Sequence, residues 1–273
     1  MAAIDYEAQY DNRARVPENP QIIAGWAQDA ADFRQEAPPT ALPYGEGERL
    51  TIDLFTPVEP RGLATLVFIH GGYWRALDRS YFSHLARGAL EHGVSVAIPG
   101  YDLCPQVSVA DIVDQMRAAC RVLAGLGRPL VVAGHSAGGH LAACMLATDW
   151  KSLDPELPPA LVPAAYAISG LFDLRPLVST SINEALCLDD DSARAASPLF
   201  MPAPAGLSLD AVVGGDESEE FLRQSRMIVD EWGAQSVATR YEAIPDRHHF
   251  DVVAPLSDPD SPMTRRLVAL SGL

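Results

Sequence analysis

The stretch Leu130–His140, LVVAGHSAGGH, restricts what this chain can fold into more than any other. Leu130-Val131-Val132-Ala133 is apolar and largely β-branched, as a buried strand requires. With no polar linker it passes through Gly134-His135-Ser136-Ala137-Gly138 into Gly139-His140 and the apolar run Leu141 to Ala147, which reads as a buried helix. Strand, one-residue turn and helix leave the serine at an apex where its backbone must be strained. Such a residue is tolerated only between neighbours with almost no side chain, and Gly134 and Gly138 meet that need. The strain lifts the Ser136 Oγ clear of the sheet and aims the Ala137 N–H at the atom that Oγ would attack. The bland alternative is a glycine-rich strand-to-helix turn in a chain with 20 glycines.

A second glycine cluster supports the first reading. Ala64 to Ile69, ATLVFI, is a continuous apolar strand that ends in His70-Gly71-Gly72-Tyr73-Trp74. Glycines at a strand's carboxyl end let the backbone turn so that successive N–H groups point into a cleft. An oxyanion site is therefore expected from Ala137 together with Gly71, Gly72 or Tyr73, with His70 bracing the loop. The alternative is a tight turn around a buried His-aromatic cluster.

The remaining elements follow in order. Arg49 to Phe55 alternates polar and apolar residues, as an antiparallel edge strand with one buried face does. Helices are expected at Arg79–His92, Val109–Leu126, Glu219–Trp232 and Thr264–Leu270, and strands at Val94–Pro99, Ala164–Ser169, Leu207–Val213 and Val237–Ile244. Strands alternating with helices call for an α/β fold with a mainly parallel central sheet, helices on both faces and right-handed crossovers. The expected organisation is one domain over 1–273. Residues 1–45, with helical spacing from Ile22 to Phe33, form an arm packed on it, and about 171–203 form a minimal cap.

Composition narrows the partners. A formal net charge of −16 disfavours nucleic acid and anionic membranes. The opening MAAIDYEAQYDNR lacks the basic-then-apolar order of a signal peptide, and no apolar run approaches the ~18 residues of a membrane span. The four cysteines have no paired spacing and read as reduced thiols or small core residues. A cytoplasmic protein is expected, with no metal and no cofactor. A homodimer is compatible with the sequence, which does not choose an oligomeric state.

Serine is a poor nucleophile unless a base takes its proton and a carboxylate orients that base. On sheets with this elbow the partners follow in the order serine, acid, histidine. Asp246-Arg247-His248-His249-Phe250-Asp251, after the last strand, offers His248 or His249 as base. Gly214-Gly215-Asp216-Glu217, after the preceding strand, offers Asp216 or Glu217 as acid. Counting three residues from Gly214 favours Glu217, and Asp173 is a third candidate. Trp74, Tyr73, Tyr101 and Phe172 are expected as flat apolar walls. His140 could reach the site or be a satisfied core histidine, and His135 is expected to pack beneath the elbow.

These features resemble the α/β-hydrolase fold over nearly the whole chain. More narrowly, His70-Gly71-Gly72-Tyr73-Trp74 is similar to the HGGxW motif of the kynurenine formamidase (arylformamidase) family. GHSAGGH around Ser136, Glu217 to Phe221 with Gln224-Ser225, His249-Phe250 and the leading Tyr10-Asp11-Asn12-Arg13 also resemble that family. The resemblance implies Ser136 as nucleophile, Glu217 as acid and His249 as base. It also implies hydrolysis of an aryl formamide such as N-formylkynurenine, a small acyl substrate with an aromatic part. Glu217 stands where the family more often has Asp, and Glu219 where it has Pro, which keeps Asp216 as the alternative acid; His248 stays the alternative base. A carboxylesterase for short-chain or aryl esters is the competing enzyme reading, and a non-catalytic binding protein on the same fold the remote one.

Overall fold

The computed structural model describes residues 4–272. Met1–Ala3 and Leu273, included in the expectations for the arm and the domain, lie outside the described residues. Eight strands, β1 (Thr40–Pro43), β2 (Thr51–Phe55), β3 (Thr65–Ile69), β4 (Val96–Pro99), β5 (Leu130–His135), β6 (Ala164–Ile168), β7 (Ser208–Gly214) and β8 (Ala238–Ile244), form one sheet in the order β1-β2-β4-β3-β5-β6-β7-β8. β1 and β2 pair antiparallel, as do β2 and β4; every other pairing is parallel. β3 runs from Thr65 opposite Leu130 to Ile69 opposite Gly134, and β5 in turn sets His135 opposite Ile168. That register brings the carboxyl ends of β3, β5 and β6 to one edge of the sheet, where α/β folds place their sites.

Residues of β3, β4 and β5 are buried throughout, which explains their unbroken apolar runs. Successive side chains point to opposite faces. Val67, Ile69 and Val132 enter one core layer with Ile112, Leu141 and Phe221. Leu66, Phe68 and Val131 enter the other with Trp26, Phe82 and Leu267. The first layer lies under the helices Val109–Ala124, Ala137–Leu146 and Glu219–Gly233. The second is closed by Asn19–Glu36 and Pro262–Leu270. Among the described residues, no helix is long and apolar enough to cross a membrane. Cys104, Cys120 and Cys144 are buried free thiols and Cys187 is an exposed one.

Two expectations need correction. β2 is not an edge strand, because β1 pairs with its outer side. Its middle residue Asp53, placed by alternation on a solvent face, is only 2 % exposed. The helix Asn19–Glu36 supplies the reason: Arg34 Nη1 donates to Asp53 at 2.5 Å, and Arg79 Nε lies 3.4 Å from the same carboxylate. The segment from Arg79 is not one helix but two 3₁₀ turns, Arg79–Tyr81 and Ser83–Ala86, followed by Arg87–Glu91. Residues three apart eclipse in 3₁₀ geometry, so Phe82 and Leu85 both turn inward. Phe82 meets Trp26 with ring centroids 5.4 Å apart.

The amino-terminal residues pack on this frame as short helices, Tyr6–Tyr10 and Asn12–Arg15, capped by the Asp5 and Asp11 carboxylates. Between β6 and β7 the chain makes the turn Arg175–Ser179 and the helices Asn183–Leu186 and Asp190–Ala196, the latter capped by Asp189. The acidic run Asp189-Asp190-Asp191 is thus a helix start.

Removing Asp53 would leave two guanidinium groups without their buried counter-charge. Asp53→Ala is expected to lower stability by about 2 kcal/mol, less than a fully buried pair because Arg34 is partly exposed. Urea unfolding of the variant measures it, and an unchanged midpoint would show that the pair contributes nothing.

Candidate active site

Ser136 sits between the last residue of β5 and the first of the helix Ala137–Leu146, with φ 57° and ψ −118°. A non-glycine residue costs on the order of 1–3 kcal/mol there, so the surroundings must impose it. They do so by backbone contact. A Cβ on Gly134 would stand 2.1 Å from the Gly138 carbonyl oxygen, and one on Gly138 would stand 1.9 Å from that of Ile69. β5, its following helix and β3 therefore approach to a distance that admits hydrogen alone. Because the helix starts at Ala137, the Ala137 N–H has no carbonyl one turn earlier to bond.

The loop after β3 is pressed against this apex. A Cβ on Gly71 would lie 3.0 Å from the Ser136 Cβ. Gly72, Tyr73 and Trp74 follow with φ of 114°, 48° and 55°, three successive left-handed residues that turn the backbone sharply. His70 holds the loop's base. Its ring stacks between Phe82 and Tyr101, and its Nδ1 donates to the Gly71 carbonyl at 2.7 Å. Burial pushes its pKa down to about 4, so the ring is neutral at physiological pH.

The carboxylate and imidazole meet across the carboxyl ends of β7 and β8. Glu217 Oε2 accepts from His249 Nδ1 at 2.6 Å, and both side chains are buried. Glu217 Oε1 accepts from the Gly214 N–H at 2.8 Å and from the Ser169 hydroxyl. Asp216, its neighbour, is exposed. His248 turns away from Glu217. Its Nδ1 accepts from the N–H groups of Phe250 and Asp251, a cap on its own turn. The His249 ring packs against His135 and Phe221, each 4.7 Å between centroids. Burial, and then the adjacent His249, hold the His135 pKa well below the usual histidine value.

Ser136 and His249 line one cavity of about 380 Å³. Its apolar walls are Ile23, Trp26, Tyr73, Leu77, Ile182 and Phe250. Glu7, Tyr10, Asp11, Asn12 and Arg13 of the amino-terminal helices complete it. Of the expected walls, Tyr73 is present and Trp74, Tyr101 and Phe172 are not; they are fully buried behind the lining. Tyr101 instead donates from its hydroxyl to the His70 carbonyl at 2.9 Å, so it braces the loop. Trp74 stands edge-on to His140, whose Nε2 bonds the Ala196 carbonyl at 2.7 Å and whose pKa burial pushes down to about 4. His140 is a core histidine here, and it does not reach the cavity. Asp173 is paired with Arg175 at 2.8 Å, away from His249.

Sequence reasoning missed Ser169, the second anchor of Glu217, and the contribution of residues 7–26 to the walls. The arm's aromatic content was the available signal for the latter. For Ser169 there was none beyond its place at the end of a strand. Among the described residues no cluster of histidine, cysteine or acidic side chains could hold a metal.

Comparison with known proteins bears on family and fold. A sequence model described as the Alpha/beta hydrolase family matches residues 66–272. Kynurenine formamidase from Salmo salar is 31% identical over 246 residues, covering 85% of this chain and 81% of the relative. The Drosophila melanogaster kynurenine formamidase is 28% identical, covering 83% of this chain and 79% of the relative. A crystal structure of a candidate thioesterase from a Silicibacter species superposes with a TM-score of 0.85 at 39% identity, covering 96% of this chain and 98% of that one. An esterase of the bacterial hormone-sensitive lipase family shares the fold, with a TM-score of 0.69 at 21% identity, covering 94% of this chain and 97% of that one.

The glycine contacts generate a test of the elbow. Gly138→Ala is expected to cost about 3 kcal/mol or more, since a methyl group would have to displace the β3 backbone. Thermal unfolding reads the loss. A variant as stable as the parent would mean that the β3–helix contact relaxes freely.

Proposed function

The chain belongs to the Alpha/beta hydrolase family, and from that premise we propose that it hydrolyses an aryl formamide of the N-formylkynurenine type through Ser136, Glu217 and His249. The observation that carries this reading is the 2.6 Å contact of Glu217 with His249 Nδ1, on the wall of the cavity that holds Ser136. An imidazole whose Nδ1–H donates a hydrogen bond to a carboxylate keeps Nε2 free to act as a base.

In the proposed cycle the Ser136 Oγ attacks the formyl carbon while His249 Nε2 takes the hydroxyl proton. The N–H groups of Ala137 and of Gly72 or Tyr73 hold the oxyanion, with Gly71 keeping that loop against the serine. Donors of this kind are typically worth about 10²–10³ in rate each, because they are in place before charge develops. His249 then passes its proton to the leaving amine, the C–N bond breaks, and a formyl ester remains on Ser136. Water repeats the sequence and releases formate. Trp26, Tyr73 and Phe250 offer the flat apolar surface that an aromatic leaving group needs. The kynurenine formamidase relatives support the formamide. No cofactor enters the scheme, and the exposed free Cys187 suits a reducing compartment such as the cytoplasm.

A carboxylesterase is the second reading, favoured by a methylesterase relative. The probable isoprenylcysteine alpha-carbonyl methylesterase of Oryza sativa is 29% identical, covering 58% of this chain and 42% of the relative.

The deciding measurement compares kcat/KM on N-formyl-L-kynurenine and on short-chain p-nitrophenyl esters. The formamide is expected to be preferred, and Ser136→Ala to lose at least about 10³-fold on both. Glu217→Gln is expected to lose roughly 10²–10⁴-fold, and Asp216→Asn less than about threefold. Turnover that survives Ser136→Ala would remove the mechanism. Ester turnover without deformylation would leave the esterase.

A further inference from the structure

His249 is reached by two cavities. One of them holds Ser136. The second, also about 380 Å³, is lined by Arg15, Val16, Glu18, Asp216, Glu217 and His248. Asn12 and His249 line both. Asn12 is only 5 % exposed, and the reaction scheme above does not use it.

The orientation of the Asn12 amide follows from its neighbour. A phenol has a single proton, and Tyr73 donates it to the Tyr10 carbonyl at 2.8 Å. The Tyr73 oxygen is then left as an acceptor for Asn12, whose Nδ2 stands 3.4 Å away. This turns Oδ1 away from Tyr73. Oδ1 accepts no hydrogen bond from the described residues, and it is not among the polar atoms sealed from solvent. Asn12 Oδ1 is therefore an acceptor with no donor among the described residues, on a nearly buried side chain that lines the cavity holding Ser136 and His249. A ligand that carries a donor satisfies it.

We propose that Asn12 Oδ1 accepts a hydrogen bond from the leaving-group N–H of the substrate, which makes Asn12 a residue that selects N-acyl over O-acyl substrates. The inference rests on the reading of Ser136, Glu217 and His249 given above. The leaving atom must sit beside His249, because that ring protonates it, and Asn12 shares the wall there. A formamide nitrogen brings an N–H to this position. An ester brings an oxygen, which has no proton to give and sets a second acceptor against Oδ1. A site with a buried group awaiting a partner rejects the analogue that lacks it.

Formanilide and phenyl formate share the formyl group and the ring and differ in the leaving atom, so the ratio of their kcat/KM values isolates this contact. Asn12→Leu is expected to lower that ratio about 10- to 100-fold. Asn12→Asp keeps an acceptor, and its added charge favours the N–H over the ester oxygen, so the ratio should stay at or above that of the parent. Because both rates come from one preparation, partial unfolding cancels in the ratio. An equal fall for the two substrates in Asn12→Leu would overturn the inference and leave Asn12 as a seat for the arm, with the triad untouched. A parent that cleaves phenyl formate but not formanilide would overturn it too, in favour of the esterase. If Ser136→Ala keeps both activities, the triad reading fails and the inference with it.

Discussion

Everything at the site depends on a contact made without side chains. The backbone of the helix after β5 lies against the carbonyl of Ile69, at a distance that only hydrogen on Gly138 permits. That contact forces Ser136 into its positive-φ conformation and sets the Ala137 N–H beside the loop after β3. A strained residue persists only where the structure around it over-determines it. Here the determination comes from two buried parallel strands and a fully buried helix.

Glu217 and His249, the proposed acid and base, are held by a different logic. Glu217 follows β7 and His249 follows β8, and hydrogen bonding holds the two side chains. The carboxylate spends one oxygen on the Gly214 N–H and the Ser169 hydroxyl and the other on His249. Ser169 directly follows β6, so the carboxylate is tied to the ends of two adjacent strands and cannot swing without breaking a buried hydrogen bond. Burial keeps His70 and His140 neutral, so neither adds a competing positive charge near the serine.

The amino-terminal arm is joined to the same framework through Gln224. Its Oε1 accepts from the N–H groups of Phe172 and Asp173, and its Nε2 donates to the Tyr10 hydroxyl and the Asp173 carbonyl. One fully satisfied buried amide thus connects the arm, the loop after β6 and the helix that follows the acid. Glu7 adds a second tie at the rim, where it accepts from both the N–H and the hydroxyl of Ser181. The cavity roof is therefore built from the two ends of a long stretch of sequence, and the aromatic wall comes largely from Trp26 and Phe250.

The sequence by itself determined the fold class and the elbow. Both are local: an apolar run has one stable burial, and two glycines around a serine between a strand and a helix leave one backbone path. It also narrowed the base to His248 or His249 and the acid to Asp216 or Glu217, with Asp173 as a third candidate, and favoured Glu217 by its spacing from Gly214, but adjacent residues of similar chemistry differ only in the direction they point. Tertiary structure decided that direction, bringing Glu217 to His249 while Asp216 faces solvent and His248 caps its own turn. It also buried Asp53 beneath Arg34, against the strand's alternation, and withdrew Trp74, Tyr101, Phe172 and His140 from the cavity. Those outcomes depend on which distant segment covers a face, and no local pattern carries that information.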